Sequence, residues 1–134
     1  MMEVKLILEK TATGYSAYAD ELPGMVTAGE TIDEVKENFK EVIALQLEFL
    51  QEQNKYKEAE ELKNIDLHYY LDLNTFFDYY SLFNKTQLAK YLGINSSLLR
   101  RLSTHKVELS EKKASQIKEG LHKLADELKE YHFT

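Results

Sequence analysis

The chain has 134 residues, 43% of them hydrophobic and 11% aromatic, enough for a core in one ordinary domain or two small ones and too much for global disorder. It has no cysteine, which excludes disulfides, thiolate metal sites and cysteine nucleophiles together. Seventeen Lys and Arg stand against 23 Asp and Glu, and the net charge of −6 argues against a protein that coats nucleic acid uniformly. No basic-then-apolar leader and no bilayer-length apolar run are present, so a soluble, cytoplasmic protein is expected.

In chain order, Val4, Leu6 and Leu8 alternate with Lys5, Ile7 and Glu9, the period of a half-buried strand. Thr11 to Gly14 reads as a hairpin loop in which Gly14 supplies an unusual backbone angle, and Tyr15, Ala17 and Ala19 alternate along a returning strand. Leu22-Pro23-Gly24 is a turn signal, followed by a short third strand from Met25 to Ala28 that ends at Gly29. These three strands are expected to form an antiparallel meander. Thr31 and Glu34 form a capping box for a helix whose stripe of Ile32, Val35, Phe39, Val42, Ile43, Leu47 and Leu50 must cover one sheet face. From Gln51 to Lys63 the polar sequence is expected to tail from helix into loop. Ile65, Leu67, Tyr69, Leu71 and Leu73 then alternate with Asp66, His68, Tyr70 and Asp72, the clearest strand pattern in the chain.

Asn74 is placed to cap a helix running through Phe76, Phe77, Tyr80 and Phe83. Almost no linker separates it from the last strand, which implies a fixed or narrowly hinged relation between the two halves. Next, Leu88, Ala89 and Leu92 share one helical face, Gly93 can end that helix with φ > 0, and Ile94 plugs the space beyond. Asn95 or Ser96 can cap a second helix, in which Leu98, Leu99 and Leu102 face inward and Ser96, Ser97, Arg100 and Arg101 largely outward. Ser110 caps a last helix with Ala114, Ile117, Leu121, Leu124, Leu128 and Tyr131 at spacings of three and four, a seam suited to its own core and, from Leu124 on, to a second copy.

The stretch Lys85 to Leu102 resembles the helix-turn-helix of phage-repressor-like DNA-binding proteins, with Ala89, Gly93, Ile94, Leu99 and Leu102 in the roles of small crossing residue, turn glycine and core. The resemblance implies that the second helix enters the major groove. That puts Asn95, Ser96, Ser97, Arg100 and Arg101 at the groove, with Lys85, Lys106 and Lys112 on phosphate. The alternative is an ordinary helical hairpin with a solvated face. Local charge favours the first: within 84–118 there are 8 basic and 2 acidic residues.

Residues 3 to about 73 carry a second resemblance. Gly14-Tyr15, Asp20-Glu21-Leu22-Pro23-Gly24 and Gly29-Glu30-Thr31, set among three strands, a long helix and a fourth strand, look like the HicB antitoxin family. The resemblance implies an α+β chain: a β-β-β-α-β partial ribonuclease-H-like domain over 1–73, without nuclease activity, followed by an all-α helix-turn-helix domain over 74–134. It also implies a small HicA-type mRNA-cleaving toxin as partner, operator DNA for autorepression, and a homodimer or higher homo-oligomer. The long Gln51 to Lys63 tail departs from the family pattern. Residues 1–73 hold 7 basic and 16 acidic residues, net −9, which suits a basic partner as well as it suits solubility.

An enzyme is not expected. Asp20, Glu21, Asp66 and Asp72 show no convergence on a metal pair, and His68, His105, His122 and His132 lack ligand or triad spacing. No glycine-rich phosphate loop is present, and neither cofactor nor metal is expected. Tyr69, Tyr79, Tyr80 and Tyr91 fall at core-like positions, so packing is preferred over RNA stacking for them. The main rival reading is a stand-alone transcription regulator whose first domain dimerises or senses a ligand.

Overall fold

Val4, Leu6 and Leu8 are buried while Glu3 and Lys5 beside them are exposed, so the first alternation becomes one half-buried strand, β1 (Met2–Lys10). The computed structural model describes every residue from Met1 to Thr134 and is α+β, with four strands in one mixed sheet and six helices. β2 (Tyr15–Tyr18) pairs antiparallel with β1, and β3 (Val26–Gly29) antiparallel with β2. β4 (Ile65–Leu71) lies on the far side of β1 and parallel to it, from Met2↔Ile65 to Leu8↔Leu71, giving the order β3-β2-β1-β4. A parallel neighbour needs a long crossover, and α1 (Ile32–Glu52) and α2 (Tyr56–Lys63) supply it. The last four helices are α3 (Leu73–Tyr79), α4 (Lys85–Leu92), α5 (Ser96–Ser103) and α6 (Glu111–Leu128). None of the six helices is long and apolar enough to cross a membrane.

The chain divides into two compact units, Met1–Thr75 and Phe76–Thr134, the cut falling inside α3 and two residues after the expected one. In the first unit Thr31 caps α1, its hydroxyl oxygen accepting from the Glu34 N–H at 3.0 Å. Ile32, Val35, Phe39 and Leu50 are buried with Val4, Leu6, Leu8 and Ala17, and the half-buried Val42, Ile43 and Leu47 close the same core. The Leu22-Pro23-Gly24 turn forms with Gly24 at φ 80° and the Met25 N–H donating to the Leu22 carbonyl at 3.2 Å.

Four features and the end of α6 differ from the sequence reading. The stretch expected to tail into loop breaks at Asn54, whose φ is 58°, and then re-forms as α2. Only Ala59 and Leu62 of α2 are buried, too few apolar positions to mark a helix by periodicity. Gly14 does not have positive φ; the positive-φ glycines are Gly24 and Gly93. Gly14 is required by space instead, because a Cβ there would sit 2.3 Å from the Gly29 carbonyl oxygen. α3 starts at Leu73, with the Asp72 carboxylate rather than Asn74 accepting from the Thr75 N–H at 3.2 Å, and it ends at Tyr79. Phe83 nevertheless joins it through a ring stack on Phe76 at 5.8 Å. α6 likewise ends at Leu128, so Tyr131 lies outside the helical seam.

The fourth difference is that the tyrosines assigned to packing are exposed: Tyr69, Tyr79, Tyr80 and Tyr91 are each 39–44% accessible. On β4 the alternation does bring Ile65, Leu67 and Leu71 against the core as half-buried residues, and Tyr69 alone of that face stays exposed. The Tyr69 ring carries a lysine ammonium over it, Lys36 Nζ lying 4.6 Å from its centroid, as does the neighbouring Tyr70, with Lys5 Nζ at 4.5 Å.

Gly14→Ala forces backbone apart at the Gly29 carbonyl and is expected to destabilise the first unit by about 1–3 kcal/mol, read from urea unfolding. A second expectation concerns Glu21, whose carboxylate accepts the Lys5 N–H at 2.8 Å and is thereby held below the usual glutamate range. The support this bond gives the native state is complete above the ordinary glutamate pKa and is lost as pH falls through the lower native value. Carboxyl NMR titration should show Glu21 protonating at lower pH than an unpaired glutamate.

Candidate nucleic-acid interface

Eight-residue helices do not persist alone, so α4 and α5 exist through their caps and their shared core. Asn84 starts α4, its Oδ1 accepting from the Gln87 N–H at 3.0 Å. Gly93 ends it in the left-handed region, φ 71°, and the Ile94 N–H donates back to the Ala89 carbonyl at 2.9 Å. Asn95, of the two candidates, caps α5 by accepting from the Leu98 N–H at 3.1 Å. Ala89, Leu92, Ile94, Leu99 and Leu102 are buried, with Ala89 and Leu99 fully inaccessible.

α6 completes this unit through two residues that periodicity did not single out. Gln116 donates from Nε2 to the Leu92 carbonyl at 3.0 Å and to the Gly93 carbonyl at 3.3 Å, satisfying the end of α4 from another helix. Gly120, one turn further on, lets α6 approach, since a Cβ there would stand 2.2 Å from Leu92 Cδ2. Their spacing of four on one helical face was the available signal. Tyr91 on α4 donates to Glu127 on α6 at 3.3 Å, and desolvation together with that carboxylate pushes the phenol up.

Of the eight residues expected at DNA, Asn95, Ser97, Arg100, Arg101, Lys106 and Lys112 are exposed, and Ser96 and Lys85 half-buried. Arg100 and Arg101 project from α5, the Arg100 guanidinium donating to the Thr86 hydroxyl on the first turn of α4 and Arg101 Nε to the Ser97 carbonyl at 3.4 Å. Lys106 follows His105, which turns the chain with φ 60°. No ion pair involves Arg100, Arg101, Lys106 or Lys112. Lys85 is placed differently: its Nζ lies 5.2 Å from the Phe77 ring centroid, a cation–π contact inside its own unit. The Asn95 Oδ1 is likewise engaged in the cap. Two guanidiniums, two ammoniums and the Ser97 hydroxyl therefore form the solvent-facing set, with the half-buried Ser96 beside them, and supply donors for phosphate oxygens and for base edges.

In the first unit the structure brings together Glu3, Asp66 and His68, whose donor atoms all lie within 4.8 Å of one another. The β1–β4 register, which sets Glu3 beside Asp66, was not readable from spacing within either strand. Glu3 and His68 are exposed and Asp66 half-buried, and His68 Nε2 and Asp66 Oδ2 already meet at 2.8 Å. Asp20, Glu21 and Asp72 do not join it. Compared with family models, curated proteins and solved structures, the chain matches none.

Gly93→Ala places a Cβ residue in the left-handed region with nothing gained in packing, and is expected to cost about 1–2 kcal/mol of stability, read from denaturant midpoints.

Proposed function

We propose that the chain is a HicB-like antitoxin and autorepressor: residues Phe76–Thr134 bind operator DNA as a helix-turn-helix unit, and Met1–Thr75 neutralise a small, basic, HicA-type mRNA-cleaving toxin. The observation that carries the DNA half is the left-handed turn at Gly93 between two short, capped helices, with Arg100 and Arg101 exposed and in no ion pair. The second helix enters the major groove, Ser96 and Ser97 lie near base edges, and Lys106 and Lys112 meet phosphate. Lys85, held over Phe77, contributes less than the others. The toxin half is supported more indirectly. Strand order in the sheet and the helical crossover are compatible with a partial ribonuclease-H-like domain, and its net −9 suits a cationic partner. The operator-reading form is a symmetric dimer on half-sites about 34 Å apart, with the exposed end of the α6 seam available to a second copy.

Co-expression with the neighbouring reading frame, followed by pull-down and footprinting of the shared promoter, tests both halves. The double variant Arg100→Ala/Arg101→Ala is expected to lose the footprint and to lower the salt slope of residual binding by about two, while folding and toxin capture persist. A normal footprint from that variant removes the arginines from the site. Absence of any short, basic neighbour that binds the chain leaves the regulator reading without a toxin.

A further inference from the structure

The first unit has two sheet edges, and they are treated differently. β3, the outer strand on one side, has four residues, follows Pro23-Gly24 and ends at Gly29, so it offers little to another strand. β4, the outer strand on the other side, runs seven residues, Ile65-Asp66-Leu67-His68-Tyr69-Tyr70-Leu71. It contains no proline, glycine or lysine, and its seven-residue pairing with β1 runs without a bulge. Alternate residues of such a strand turn their N–H and C=O away from the sheet, and no backbone bond beyond those to β1 is made from Asp66 to Leu71. Edges of this length are ordinarily guarded by lysine, proline or a bulge. Asp66 is the one formal charge on β4, and His68 follows two residues later on the same face.

From this we infer that β4 pairs antiparallel with β4 of a second copy of this chain, joining two four-stranded sheets into one of eight. A two-fold axis perpendicular to the sheet keeps the helix-covered faces on the same side. Centred at Leu67, it sets Leu67 against Leu67 of the second copy, Ile65 against Tyr69 of the second copy, and Asp66 against His68 of the second copy. The centre at Leu67 is selected by pairing chemistry: the carboxylate–imidazole contact that Asp66 and His68 make within one chain at 2.8 Å can be exchanged for two made across the edge. It opposes carboxylate and imidazole twice, whereas a centre at His68 opposes the two imidazoles to each other. The lone charge that would guard the edge against other strands thus becomes the group that recognises its own copy. This contact is separate from any made by α6 and does not depend on the antitoxin reading.

Because the chain has no cysteine, a single introduced thiol reports one position. Directly opposed residues of an antiparallel pair have Cα atoms about 4.5–5.5 Å apart, within disulfide range. The full-length Leu67→Cys variant is expected to form a disulfide-linked dimer under mild oxidation about tenfold faster than Val26→Cys, although Val26 on the β3 edge is 64% exposed and Leu67 only half-exposed. In the unaltered chain, amide exchange along β4 is expected to slow as protein concentration rises while that of β3 does not. Equal or faster cross-linking at Val26→Cys, faster cross-linking at His68→Cys than at Leu67→Cys, or β4 exchange that is independent of concentration overturns the inference.

Discussion

Leu99 and Leu102 point into the core of the second unit, and at 100° per residue the two positions between them have to point away from it. That angular constraint, more than any preference of arginine for solvent, puts Arg100 and Arg101 on the outside. It holds only while α5 keeps its orientation, which rests on the absent side chain at Gly93, the small Ala89 and the two carbonyl contacts from Gln116. The buried Ser103 strengthens the same end, its hydroxyl donating to the Arg100 carbonyl at 2.9 Å. Position, cap and core therefore act on the same eight residues, and the basic face follows from how the apolar one is seated.

The first unit depends on a different device. β1 is central, paired on both sides, and its last residue would leave a backbone N–H pointing at the start of α3. Thr75, almost fully buried, resolves this: its Oγ1 accepts from the Lys10 N–H at 2.8 Å, while its N–H and hydroxyl both reach Asp72. A threonine there also explains why α3 starts where it does, since the carboxylate that holds Thr75 satisfies the first turn. No buried side-chain polar atom in the chain lacks a partner.

Much of this architecture is legible from residue order, and the exceptions have physical causes. Val4-Leu6-Leu8, Thr31-Glu34, Pro23-Gly24 and Ala89-Gly93-Leu99 each carry a local rule to a local outcome. What periodicity could not show was anything decided between elements. Tyr69 reads as core because its alternation is correct, and Ile65, Leu67 and Leu71 of the same alternation do pack on the core, yet Tyr69 itself stays exposed. Gly14 reads as a turn glycine, yet the demand on it comes from the Gly29 carbonyl, 15 residues away. Glu3 and Asp66 become neighbours only through a parallel register that joins residues 63 apart in the sequence. The candidate interface shows the same division: Arg100 and Arg101 follow from helical angle, whereas the pull of Phe77 on Lys85 and of Thr86 on Arg100 needs three dimensions.

The net charge of −6 is no bar to the duplex contact proposed for the second unit, because salt limits how far charges act. At physiological ionic strength the Debye length is about 8 Å, so carboxylates further than that from a phosphate contribute little to the bound state. What counts is the surface in contact, and the 84–118 segment carries 8 basic against 2 acidic residues. A surface with the 16 acidic residues of the first unit repels nucleic acid and attracts cationic surfaces on general electrostatic grounds, which is the sense in which it suits the proposed basic toxin. The segregation of sign along the sequence, not the total, is therefore the quantity on which the proposed pair of partners rests.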